Sequence, residues 1–161
     1  MRVFGVDFTS RPTPRKPITV AECTLGDALV FNRIIALPDF AAFEIFLGQP
    51  GPWIAGFDFP FAQSRRFVEN IGWPNTWAVT VAHVSGLTRP AFRAALEDYK
   101  RDRPMGDREH SRVFERGTGA ASPQKLYGVP VALMFYEGAP TATGRAQHPR
   151  PASRRPNAHR L

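Results

Sequence analysis

Residues 51–61 read GPWIAGFDFPF, and the fold turns on how this stretch relates to the opening run MRVFGVDF at 1–8. Within them, residues 2–7 and Trp53–Asp58 are short apolar runs that each hold one glycine and end in an aspartate, as a buried strand with a close backbone approach would. Pro60 forbids further ladder pairing after the second run. Thr9–Pro17 carries three prolines and reads as a loop. Ile18–Thr24 and Ala28–Ala36 read as two further strands joined at Gly26-Asp27, which makes an antiparallel meander with the first. Asp39 is an N-cap for a helix to about Leu47, with Phe40, Phe43 and Leu47 on one face, stopped by Gly48–Pro52. A helix between the third and fourth strands allows a right-handed crossover, so Trp53–Asp58 can lie parallel beside Arg2–Phe8. The expected class is α/β with a mixed four-stranded sheet and a helical second half.

That arrangement has a chemical consequence. Asp7 and Asp58 would emerge at the same end of neighbouring strands, ~4.8 Å apart. Carboxylates so close repel unless a cation bridges them. Hard oxygen ligands suit Mg²⁺ or Mn²⁺, which retain waters and accept phosphate oxygens. A pair of such ions could activate water for phosphodiester hydrolysis.

Beyond the fourth strand the chain reads as helices at Ser64–Ile71, Thr76–Val84, Pro90–Arg101 and Val131–Tyr136, with a loop-rich segment at 103–128. The 161 residues suffice for one domain, and 43% hydrophobic content with 13 Phe excludes wholesale disorder. No apolar run approaches the ~20 residues of a membrane span. The single Cys23 excludes an internal disulfide and a multi-cysteine zinc site, and reads as a small core residue. With no leader at the N-terminus, a cytoplasmic location is expected.

The formal charge is +7, but it is unevenly placed. Residues 1–138 hold 16 Lys+Arg against all 14 acids, whereas 139–161 hold five Arg and no acid. The domain is therefore expected at 1–138. The Arg/Pro/Ala-rich segment 139–161 reads as disordered, with nothing in it to bury. Three readings of it stay open: a basic arm for nucleic acid or an acidic partner, an inert end, and the product of a shifted frame in a GC-rich gene.

Four segments in order, GVDFTSRP (5–12), GPWIAGFDFPF (51–61), RPMGDREHSR (103–112) and SPQKLYGVPVALMFYEGAP (122–140), resemble the ribonuclease H-like superfold. More narrowly, they resemble a prokaryotic family catalogued as domain of unknown function 429 and described as predicted ribonuclease H-like nucleases. The resemblance covers about residues 1–140. It implies a metal-dependent nuclease or phosphodiesterase, with Mg²⁺ or Mn²⁺ as cofactor and nucleic acid or another phosphodiester as partner. Asp7 and Asp58 match acidic positions at the ends of the first and fourth strands. Asp107, Arg112, Ser122 and Gln124 match further family segments and are expected to line the site, with Lys125 as a phosphate contact. Family members continue into another strand, an acidic segment and a terminal helix. The fifth strand is thus expected to be missing, which leaves the fourth as an exposed apolar edge.

Each residue also has a plainer reading. Asp7 beside Thr9 and Ser10 could cap a turn. Glu44 reads as a solvated helix position, with a third carboxylate ligand as the alternative. Asp107, Glu109 and His110 form a charged loop that solvent alone would explain. His83 reads as a core-edge residue, Arg65 and Arg66 as a small basic patch, and Trp53, Trp73 and Trp77 as core. Two other functions compete with the nuclease reading. A non-catalytic remnant or basic module would bind through the tail. An actin-like or sugar-kinase-type relative would use the Asp-x-Thr-Ser stretch at 7–10 on ATP, although such proteins duplicate the domain.

Overall fold

The computed structural model describes residues 1–115 and 117–144. The first half is a meander and a crossover: β1 (Arg2–Asp7), β2 (Ile18–Leu25), β3 (Leu29–Leu37), α1 (Phe40–Leu47) and β4 (Trp53–Phe57). The sheet order is β3-β2-β1-β4, with β1 antiparallel to β2 and parallel to β4. The expected α/β class and mixed four-stranded sheet are both present. Asp39 caps α1 by accepting the Ala42 amide at 2.8 Å. Phe43 and Phe46 are the buried residues of that helix, while Phe40 and Leu47 pack at the margin.

The second half is helical: α2 (Arg65–Ile71), α3 (Trp77–Ser85), α4 (Arg89–Arg101) and α5 (Val131–Ala142), with 3₁₀ turns at Met105–Asp107 and Val113–Glu115. Local chemistry sets the boundaries. Ser64 accepts the Phe67 amide at 3.2 Å and Thr88 accepts the Ala91 amide at 3.3 Å, each capping its helix. Gly72 ends α2 at φ 74, the left-handed conformation that glycine adopts without a Cβ penalty.

The expected boundary at residue 138 requires correction. Helix α5 runs through Ala142, and Ala139, Pro140 and Thr141 are buried. The small residues Gly138 and Ala139 let the helix pass close to its neighbours, and Pro140 falls in the last turn. The remainder of the expected tail, residues 145–161, lies outside the described residues.

Helix α5 also joins two cores. Met134 packs with Phe4, Val6, Phe8 and Phe43 beneath the sheet, whereas Leu133, Phe135 and Ala139 pack with Phe67, Phe92 and Leu96 among the helices. Alternate faces of one helix thus hold both halves. Phe59, just after β4, has its ring 4.7 Å from that of Phe8 and lies directly against Gly138.

Among the described residues nothing covers the other face of the sheet. Register places Phe31, Cys23, Val3 and Ile54 in one row across it, and Ile34, Ala21, Gly5 and Gly56 in the next. Phe31, Ile34 and Ile54 are 55–59% exposed. Cys23, expected in the core, is only partly buried here. Among the described residues β4 is an edge strand.

A side chain at Gly138 would place its Cβ 2.8 Å from the Phe59 ring, and that ring is itself buried. Gly138→Val is therefore expected to cost about 1–3 kcal/mol by overpacking. A lowered urea midpoint with an unchanged m-value would register it.

Candidate active-site cleft

Parallel pairing of β1 with β4 ends at Val6 and Phe57. One residue further, the Asp58 amide donates to the Val6 carbonyl at 3.2 Å. The Asp58 carboxylate turns back to accept the Phe8 amide at 2.7 Å. This bond fixes the orientation of Asp58 and holds it beside Asp7, close enough for the charge of Asp7 to act on it. Loss of water contact raises the Asp58 pKa above its ordinary value, the Phe8 amide opposes this, and the charge of Asp7 raises it further. Two neighbouring carboxylates whose charges oppose one another would welcome a cation.

Both aspartates line a cleft of about 1010 Å³. One wall is the loop after β1 with Arg11, Arg15 and Lys16, joined by Arg89 and Arg93 from α4. The lining contributed by the 126–134 segment is apolar: Leu126, Val129, Pro130, Leu133 and Met134. Arg89 ties the walls together. Its guanidinium donates to the Ser10 carbonyl at 2.8 Å, the Ser10 hydroxyl at 3.2 Å and Glu137 of α5 at 2.7 Å. The side chains of Arg89 and Glu137 are 22% and 9% exposed, so this ion pair is shielded more than a surface one. It anchors the loop that begins next to Asp7.

The sequence offered signals for these groups that its local patterns did not resolve. Residues 8–21 contain three cations and no acid. In the sequence Arg89 stands just before the helix read from Pro90, and Glu137 one residue beyond the helix read as Val131–Tyr136. Their meeting, 48 residues apart, is a tertiary fact.

The remaining expected site residues lie elsewhere, and none of them lines this cleft. Asp107 is paired with Arg66 at 2.6 Å and Arg103 at 2.5 Å. Arg112 binds the Glu115 carboxylate, holding its pKa below the ordinary value, and stacks its guanidinium 4.8 Å over Phe114. Gln124 is wholly buried. Its side chain accepts the His110 amide at 2.7 Å and donates to Gln63 and Ser64, each at 3.3 Å. Ser122 accepts the Gln124 amide at 3.1 Å. These contacts make Ser122 and Gln124 a clasp between the 103–128 segment and α2. The Lys125 ammonium stands 5.2 Å from the Tyr127 ring. His110, part of the same clasp, meets the Tyr99 hydroxyl at 2.7 Å. Burial first, and then the Arg66 cation, lowers its pKa.

Glu44 is exposed on α1 and does not border the cleft. His83 is half-buried with its ring 5.1 Å from that of Trp73. Trp53 and Trp73 pack against the cores, but Trp77 is 46% exposed, its indole donating to the Phe61 carbonyl at 2.6 Å. Among the described residues no group of three or more His, Cys, Asp or Glu side chains is placed to hold a metal ion, and no helix is long and apolar enough to cross a membrane.

Compared with protein-family models, curated proteins and solved structures, the chain matches none of them.

Two stability measurements separate the cleft from the clasp. The folded state binds a proton at Asp58 more readily than the unfolded chain, so stability falls as pH rises from 3.8 through the raised folded value. Asp58→Asn keeps an oxygen for the Phe8 amide and removes the charge. We expect its Tm to exceed that of the parent at pH 7 and to equal it near pH 3, read by scanning calorimetry. Gln124→Ala should instead lower stability by about 2–4 kcal/mol, since it strands buried polar partners and leaves a cavity.

Proposed function

We propose that this protein is a divalent-cation-dependent phosphodiesterase of ribonuclease H-like type, working through Asp7 and Asp58. The observation that carries the reading is the neighbouring Asp7 and Asp58 carboxylates in a cleft whose other charged groups are all cations. Carboxylates alone would repel a phosphate ester, and cations alone would bind it without activating anything. Together they are the complement of an anionic ester with a bridging ion. The strand order adds support, because the meander followed by a parallel fourth strand is the one the motif resemblance leads to expect.

Two carboxylates fit one Mg²⁺ or Mn²⁺, which keeps most of its waters and takes the rest of its ligands from substrate phosphate. A two-ion arrangement would need further ligands, which the described residues do not bring together. When bound, such an ion supplies Lewis-acid polarisation of the phosphoryl oxygen and lowers the pKa of a bound water. The chain's own groups divide the remaining work. Asp58, held by the Phe8 amide, is the positioned ligand, and Asp7 lies against it from the end of β1. Arg89 holds the Ser10 segment and thereby the wall beside Asp7.

Purified protein is expected to hydrolyse bis(p-nitrophenyl) phosphate or an oligonucleotide only with Mn²⁺ or Mg²⁺. Asp7→Asn and Asp58→Asn should each lower the rate about 100-fold or more while leaving the circular dichroism spectrum intact. Hydrolysis that survives either change would sink the proposal.

A further inference from the structure

The loop between β1 and β2 has more structure than its connecting role requires. Thr13 and Lys16 exchange two backbone hydrogen bonds of 3.0 Å, and the Thr13 hydroxyl accepts the Lys16 amide at 3.0 Å as well. Pro12, Pro14 and Pro17 fix φ on either side of that turn, and Arg89 holds its root at Ser10. The loop is therefore stiff, and ordering it on binding costs little. Among the described residues, the side chains of its three cations, Arg11, Arg15 and Lys16, have no hydrogen-bond or ion-pair partner. All three residues line the cleft that holds Asp7 and Asp58. Three cations that the fold leaves unpaired, on a rigid support, make a preorganised anion site.

The lining from the 126–134 segment is of opposite character. Val129 is 62% exposed, and Leu126, Pro130 and Leu133 line the same cleft, so the cleft offers apolar contact as well as charge. Its volume of about 1010 Å³ lies at the top of the range for small-molecule sites and corresponds to on the order of 10 Å in each direction. A double helix, whose major groove alone is about 12 Å wide, would not enter it.

We propose that the loop at 9–17 is a phosphate clamp. It holds a nucleotide-sized phosphate ester with its phosphate on Arg11, Arg15 and Lys16 and its organic body against Leu126, Val129 and Pro130. The site thus accepts a free nucleotide or the end of a single strand and excludes duplex interiors. This inference rests on the phosphoester reading of the Asp7–Asp58 cleft, but it concerns binding and can fail separately.

Calorimetric titration in EDTA removes the cation-dependent chemistry from the test. Inorganic phosphate, adenosine 5′-monophosphate, a single-stranded tetranucleotide and a blunt 20-base-pair duplex are the probes. The monophosphate should bind at least about tenfold more tightly than phosphate, through the added apolar contact. The Arg11→Ala/Arg15→Ala/Lys16→Ala triple variant should lose about 100-fold or more of that affinity, and Arg101→Ala on α4, outside the cleft, should lose none. Val129→Ser should weaken the monophosphate and leave phosphate unchanged. A tetranucleotide that binds more tightly than the monophosphate identifies a strand end as the ligand; the reverse order identifies a free nucleotide. Equal affinity for the duplex, or a triple variant that binds as the parent does, overturns the clamp. Loss of hydrolysis in the aspartate variants would leave the cleft reading standing even then. Binding without any cation-dependent hydrolysis would retain the clamp and reject the hydrolase.

Discussion

One hydrogen bond, from the Phe8 amide to the Asp58 carboxylate at 2.7 Å, carries β1 and β4 past the end of their ladder and sets the geometry of everything around the cleft. Without it the Asp58 side chain would be free to turn to solvent, and only the Asp58 amide on the Val6 carbonyl would join the strands beyond their ladder. With it, a carboxylate is held beside another carboxylate, an arrangement that electrostatics alone disfavours. The fold supports that cost through the aromatic packing immediately beneath. Phe8 lies on Phe59 and Phe43, so the residues flanking both aspartates are anchored in the sheet core. Strain concentrated at a point and compensated by nearby packing is the usual signature of a site built for something other than stability.

The second constraint is α5. A helix with Met134 in one core and Leu133 and Phe135 in the other must sit within a few tenths of an ångström of where it does. Gly138, which has no room for a side chain, defines the limit. The same helix contributes Glu137 to Arg89 and two apolar residues to the cleft. The acids of the cleft thus come from the sheet half, the Arg89 clamp from the helical half, and one helix keeps the two in register. The cleft is a product of how the halves dock.

Features set by near neighbours were legible in the sequence. The cap at Asp39, the turn at Gly26, the meander and the parallel placement of β4 all follow from residues within a few positions of one another or from crossover handedness. The two aspartates were legible because a strand end is a local property and pairing order follows from connection length. What was not legible depends on contacts between distant segments. Gln124 looks like a polar loop residue until Gln63 and Ser64, some 60 positions away, close around it. Asp107 and Arg112 carry suggestive chemistry but are satisfied by Arg66, Arg103 and Glu115, so their motif reads as architecture. The helix boundary failed for another reason. Ala139, Pro140 and Thr141 resemble the unpatterned text after them, and only the groove that receives them makes them core.

The sheet face left bare among the described residues bears on access to the cleft. Gly5 and Gly56 lie side by side there, next to Asp7 and Asp58, and both aspartates also border the shallow concavity above those glycines. The carboxylate pair is therefore reached from two directions, along the cationic loop on one side and across naked backbone on the other. A dead-end pocket must release its products by the door through which the substrate came. In a hydrolysis of the kind proposed, one fragment would be able to leave over the glycines while the other is still held on the cationic side.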